Sequence, residues 1–155
     1  MYRRILVPVD GSPASSRGLN EAIELARHLQ ARIRLVHVVE PIVMMPAEAM
    51  AGAVVDLAEG IRKAGAELLK ECEQEVAKAG VEVDQALIEA IGRSAGECVV
   101  KEAEEVKADL IVCGTHGRRG VRRLLMGSDA EYIVRRAPVP VLLVRHQESA
   151  TAAAA

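Results

Sequence analysis

The chain has 155 residues, half of them apolar and 27% charged, with a net charge of −2. That fits one soluble domain with one core, and it provides no global basic field for nucleic acid or a membrane surface. Two tyrosines are its only aromatic residues, which argues against aromatic stacking platforms of the kind used on single-stranded nucleic acid or sugars.

Taken in chain order, "RRILVPVD" carries an unbroken apolar run from Ile5 to Val9, the pattern of a strand buried on both faces of a parallel sheet. The run reads as a strand at once, not as a signal peptide. "DGSPAS" follows, with Ser12 placed to cap a helix and Pro13 at its first position. That helix carries Leu19, Ile23, Leu25, Ala26 and Leu29 on its inner side. "RIRLVHVVE" is the second strand, closed by Pro41.

The stretch from Pro41 is a connector containing Met44, Met45 and Met50. It leads into a long helix from about Ala47 to Ala79, with Gly80 as its stop. Gly52, Gly60 and Gly65 weaken that helix. "VEVDQALIE" is the third strand, and "SAGECVVKEAEEVKA" the third helix with Ser94 as cap. "DLIVCG" is the fourth strand, followed by a loop rich in glycine and arginine and a fourth helix from about Ser128 to Ala137. "PVPVLLVR" is the last strand, and residues 147–155 are a low-complexity tail behind a domain of residues 1–146.

Strands alternating with helices imply an α/β domain with a parallel sheet and right-handed crossovers. Ligands in such sheets sit at the carboxyl ends of strands, where strand order reverses. Asp10 and Gly114 stand at two such ends.

Gly114, Gly117, Gly127 and Ser128 form G-x2-G-x9-G-S. Glycines after the strand leave no Cβ in the way of main-chain N–H groups. Gly127 and Ser128 open a helix, whose unpaired N–H groups and dipole favour an anion. This is neither a Walker A loop nor G-x-G-x-x-G. A structural reading competes: Ser128-Asp129-Ala130-Glu131 also fits a capping box. Asp129 adds to that competing reading, because a carboxylate ~4 Å from a phosphate charge is repelled by about 4 kcal/mol at an effective dielectric near 20. Its side chain could instead turn away, leaving only its N–H toward the ligand.

The segments "ILVPVDGS", "LVHVVEP" and "ADLIVCGTHGRRGVRRLLMGSDAEYIVRRAPVPVLLVR" resemble a universal stress protein domain of the UspA type, over roughly Tyr2 to Arg145. The glycine pattern matches that family's ATP-binding signature in full. The resemblance implies a Rossmann-like, open five-stranded parallel sheet ordered 3-2-1-4-5, with helices on both faces. It implies that Pro8, Val9 and Asp10 line the adenine and ribose side, with Val38 against the base. Gly114 and Gly117 would approach ribose and phosphates, Met126 would pack beside the nucleotide, and Gly127, Ser128 and the N–H of Asp129 would hold the phosphates. Many ATP-binding members carry an uncharged residue where Asp129 stands.

A magnesium or manganese ion would ride on the phosphates, since no ligand cluster is evident. The resemblance also implies a homodimer joined along the last strand, Val139 to Val144. The alternative is a monomer whose edge Pro138 and Pro140 protect.

Arg118 and Arg119 read as solvated loop residues. Arg122 and Arg123 fit either that role or neutralisation of a triphosphate. His116 lies in the loop, and a lone histidine there is more often incidental. His37 suits a hydrogen-bonded structural role. Cys72 and Cys98 read as helix-face residues and Cys113 as a small buried apolar one. The three cysteines form no disulfide framework and no zinc spacing. No window has the apolar length of a transmembrane helix.

No Ser/His/Asp set or carboxylate pair defines a catalytic group. The reading is a cytoplasmic ATP-binding regulatory homodimer in stress physiology, binding neither nucleic acid nor membrane. The alternatives are a stress protein that binds no nucleotide and acts through protein contacts, and a slow ATPase in which a metal polarises a phosphate.

Overall fold

The computed structural model describes residues 1–40, 51–115 and 126–145, and the side chains of all of these but residues 51–54. β1 (Arg4–Pro8), β2 (Arg32–Val39), β3 (Val83–Glu89), β4 (Leu110–Gly114) and β5 (Val141–Val144) alternate with α1 (Pro13–Leu29), α2 (Ala51–Lys78), α3 (Ala95–Glu105) and α4 (Ser128–Arg136). The strands form one sheet in the order β3-β2-β1-β4-β5, and every pairing is parallel. The reversal of strand order falls between β1 and β4, as expected.

The period-two alternation of a strand divides the core into two layers. Ile5 and Val7 of β1 join Leu19, Ile23 and Ala26 of α1 and Leu69 and Val76 of α2 on one face. Leu6, between them in sequence, joins Val36, Ile111 and Cys113 with Val99, Val100 and Ile133 of α3 and α4 on the other. Ile5, Leu6 and Val7 are all wholly buried, which is why the run has no polar residue.

Local signals end the elements where the chemistry requires. The Ser12 side chain accepts the N–H of Ser15, and Pro13 stands in the first turn. Ser94 forms a complete capping box with Glu97. Gly80 stops α2 in the left-handed conformation, at φ +76. The expected start of α2 at Ala47 lies outside the described residues, as do Pro41, Met44, Met45 and Met50.

The last strand is shorter than the apolar run suggested. Pro138 and Pro140 have no N–H to give a ladder, so β5 begins at Val141, while the carbonyl of Pro140 still accepts from Ile111 at 3.0 Å. One interior glycine of α2 has a packing reason. A Cβ on Gly65 would stand 2.8 Å from Cδ2 of His37 and 2.9 Å from Cδ1 of Leu87. Bare Cα there lets α2 lie close on β2 and β3, which offsets the ~1 kcal/mol that glycine costs inside a helix.

Candidate functional site at the β1–β4 reversal

The register pairs Ile5 with Leu110 and Leu6 with Ile111, so β1 and β4 end side by side at one end of the sheet. Past β1 the chain turns through Asp10 into α1. The N–H of Asp10 donates to Ser15 Oγ at 3.1 Å, and the N–H of Ser12 donates to Asp10 Oδ1 at 2.8 Å. The second bond is an Asx-type turn, the local bonding that aspartate favours before a helix. It leaves Asp10 half-buried in a fixed direction at the sheet end.

Val9 is less open than its neighbour. Its side chain is 4% exposed and belongs to the α1–α2 layer. Its N–H donates to the carbonyl of Val36 at 2.8 Å, and its carbonyl lies 2.6 Å from His37 Nδ1. Both main-chain groups of Val9 are thus engaged by β2, which fixes the turn. Pro8 is the half-buried last residue of β1. Val38, half-buried on β2, packs against the α3–α4 layer.

On the β4 side, Gly114 is a packing glycine. A Cβ there would stand 2.7 Å from the carbonyl carbon and 2.8 Å from the carbonyl oxygen of Ala14. The first turn of α1 occupies that space, so this glycine draws the start of α1 against the end of β4. Thr115 then donates its N–H to Val144 and accepts the N–H of Gly127, each at 3.0 Å. The second bond anchors the start of α4 to the end of β4. Gly117, His116, Arg118, Arg119, Arg122 and Arg123 lie outside the described residues. Met126 is 37% exposed.

The start of α4 does not form the capping box that the spacing of Ser128 and Glu131 allows. Gly127, in extended conformation, is the N-cap, and no side chain of the described residues caps the helix. Ser128 is the first helical residue, one position too late for a capping box with Glu131, which instead pairs with Arg135 at 2.7 Å. The first bond into the cap runs from the N–H of Glu131 to the carbonyl of Gly127 at 2.9 Å. The N–H groups of Ser128, Asp129 and Ala130 thus have no acceptor among the described residues, the ordinary condition of a helix start open to an anion.

The carboxylate that threatened this arrangement points elsewhere. Asp129 Oδ1 accepts the N–H of Gly96 at 2.8 Å, in the first turn of α3. It thereby satisfies an orphan donor of α3 and sits favourably on that helix's dipole. Among the described residues, the start of α4 presents its main chain, with the exposed Ser128 beside it.

Sequence reading did not single out Ser15, Ala14, Thr115 or Gly96 for the site. Only Ser15 carried a local signal, as the serine three residues after the cap. Cys113, one residue before Gly114, is 3% exposed, and burial pushes its thiol up to about 11. Hollows of about 450 Å³ lie at the opposite end of the sheet, one beside Arg3, Arg32 and Asp109, another beside Ala31, Gly80 and Glu82. Neither includes a residue of this site. Among the described residues no helix is long and apolar enough to cross a membrane.

Comparison with known proteins agrees with this fold. The model of the universal stress protein family matches residues 1–145. A universal stress protein of Methanocaldococcus jannaschii is 37% identical over 147 residues, covering 94% of this chain and 83% of the relative. The structure of UspA from Lactobacillus plantarum superposes with a TM-score of 0.81 at 25% identity, over 93% of this chain and 98% of that one. A universal stress protein from Archaeoglobus fulgidus, solved in complex with dAMP, superposes with a TM-score of 0.61 at 24% identity, over 92% and 98% of the two chains. The chain belongs to the universal stress protein family.

Proposed function

We propose that this chain binds ATP at the β1–β4 reversal and acts as a nucleotide-responsive regulatory homodimer in stress physiology, in the cytoplasm. The observation that carries the reading is the start of α4. Its N–H groups from Ser128 to Ala130 are without acceptors among the described residues, and the neighbouring carboxylate of Asp129 is engaged with Gly96. The residues fit a phosphate group, because the main-chain donors and the helix dipole both favour negative charge.

In this reading Gly127, Ser128 and the N–H of Asp129 hold the phosphates. Asp10 and Pro8 line the ribose and adenine side, with Val9 fixing their backbone, and Val38 lies toward the base. Met126, exposed just before Gly127, packs beside the nucleotide. Gly114 contributes by bringing α1 and β4 together, and Gly117 admits the chain's close approach to the phosphates. A magnesium or manganese ion travels with the phosphates. The Archaeoglobus fulgidus relative holds an adenine nucleotide, dAMP, which supports the ligand class at the level of the fold.

The test is mass analysis of nucleotide released on denaturing the freshly purified protein, followed by calorimetric titration of the emptied protein with ATP. Released adenine nucleotide and a saturable heat are expected. A protein that carries none and takes up none overturns the reading.

A further inference from the structure

The turn that presents Asp10 is held by bonds of two kinds. Ser12 and Ser15 hold it from within, at 2.8 and 3.1 Å. From outside, β2 holds Val9 twice: the Val36 carbonyl takes its N–H at 2.8 Å, and His37 Nδ1 meets its carbonyl at 2.6 Å. Of these contacts from β2, only the second uses a side chain. A carbonyl can only accept, so Nδ1 carries the hydrogen and donates.

The imidazole is 4% exposed and fixed from the far side by α2. An added Cβ at Gly65 would stand 2.8 Å from its Cδ2. The gap left by that glycine is therefore filled by the ring. Val9 immediately precedes Asp10, so the direction of its carbonyl sets the peptide plane from which Asp10 departs.

We propose that His37 is a positioning residue for the nucleotide site. Its Nδ1–H clamps the carbonyl of Val9 and fixes the backbone at Asp10, and Gly65 of α2 holds the ring in register. The clamp rests on the nucleotide reading above for its purpose, but not for its existence. It also connects α2 to the site, so a displacement of α2 across the ring reaches Asp10.

The experiment compares His37→Leu, which fills similar space without a donor, with His37→Asn, whose amide can replace Nδ1–H. ATP affinity is measured by calorimetry, and amide hydrogen exchange at Asp10 and Ser12 is followed without nucleotide. His37→Leu is expected to weaken ATP binding about tenfold, the scale of one lost buried hydrogen bond, and His37→Asn to stay within about threefold of the parent protein. Exchange at Asp10 and Ser12 should quicken in the leucine variant and return in the asparagine variant.

If His37→Leu binds ATP like the parent, or if both variants lose affinity equally, the ring only fills space and the proposal is overturned. If the parent protein binds no ATP, the nucleotide reading fails separately, and exchange alone decides. Unchanged exchange in His37→Leu then overturns the clamp, and quickened exchange restored by asparagine supports it. Should His37→Leu fail to fold, Gly65→Ala takes its place, because it pushes on the ring and keeps the imidazole. Weaker ATP binding with faster exchange at Asp10 supports the clamp, and parent-like values overturn it.

Discussion

The carboxylate of Asp129 accepts the main-chain N–H of Gly96 at 2.8 Å, tying the first turn of α4 to the first turn of α3. One residue thus serves two helices: its main chain belongs to the open start of α4, and its side chain caps another helix. Removing it separates the two roles. Asp129→Ala should lower stability by about 1 kcal/mol through the lost cap, read by urea denaturation. ATP affinity should stay within about threefold, because the charge is directed at α3. A tenfold rise in affinity would mean that the carboxylate opposes the phosphates after all.

Gly114 is expected to tolerate no side chain. The atoms that a Cβ would strike are the main chain of Ala14, at 2.7 and 2.8 Å, and main chain cannot rotate away. Gly114→Ala should cost about 2–3 kcal/mol, the upper range of overpacking, seen as a lower denaturation midpoint with unchanged slope. A neutral substitution would contradict the tight seat of α1 on β4.

Cys113 gives the fold a pH dependence whose sign follows from its burial. Burial raises its thiol from the ordinary 9.0 to about 11, so the unfolded chain loses this proton first as pH rises. The stability from this group is complete below about pH 9 and lost by about pH 11. The loss is at most about 2–3 kcal/mol at 1.36 kcal/mol per unit. Denaturation of the parent and of Cys113→Ala across that range should show the difference between them narrowing as pH increases. A constant difference would contradict the burial argument.

The proposed dimer makes a separate demand on β5, which is an edge strand with Leu142 38% exposed. Leu142→Lys should convert a dimer to a monomer in sedimentation equilibrium, since edge lysines oppose strand pairing. A parent protein that already sediments as a monomer would contradict the proposed dimer.

Much of the fold was legible because its signals are local. The unbroken run through Ile5, Leu6 and Val7, the Ser12-Pro13 start and the Gly80 stop each act within a few residues, and each is found where the chemistry directs. The site was legible only in outline. Gly114 was read for its uncovered main chain, and its close seat against Ala14 is a contact that no local pattern encodes. Ser128 and Glu131 matched a capping box by spacing, yet the spacing does not say that Gly127 takes the cap position and shifts serine into the helix. The direction of Asp129 depends on Gly96, and that of the Val9 carbonyl on His37. Both pairs are distant in sequence and meet only through the packing of layers.

The most direct measurement is a calorimetric ATP titration of the parent chain beside Ser128→Pro, with Ser128→Ala as the control for the hydroxyl. Proline is accommodated at the first position of a helix, and Gly127 already has the extended backbone that must precede it. The substitution therefore deletes one N–H of the proposed cradle and should leave stability within about 0.5 kcal/mol. ATP binding is expected to be about tenfold weaker for Ser128→Pro than for Ser128→Ala, the scale of one hydrogen bond to a charged group. Equal affinity of the two variants would contradict the claim that main-chain donors at the start of α4 hold the phosphates.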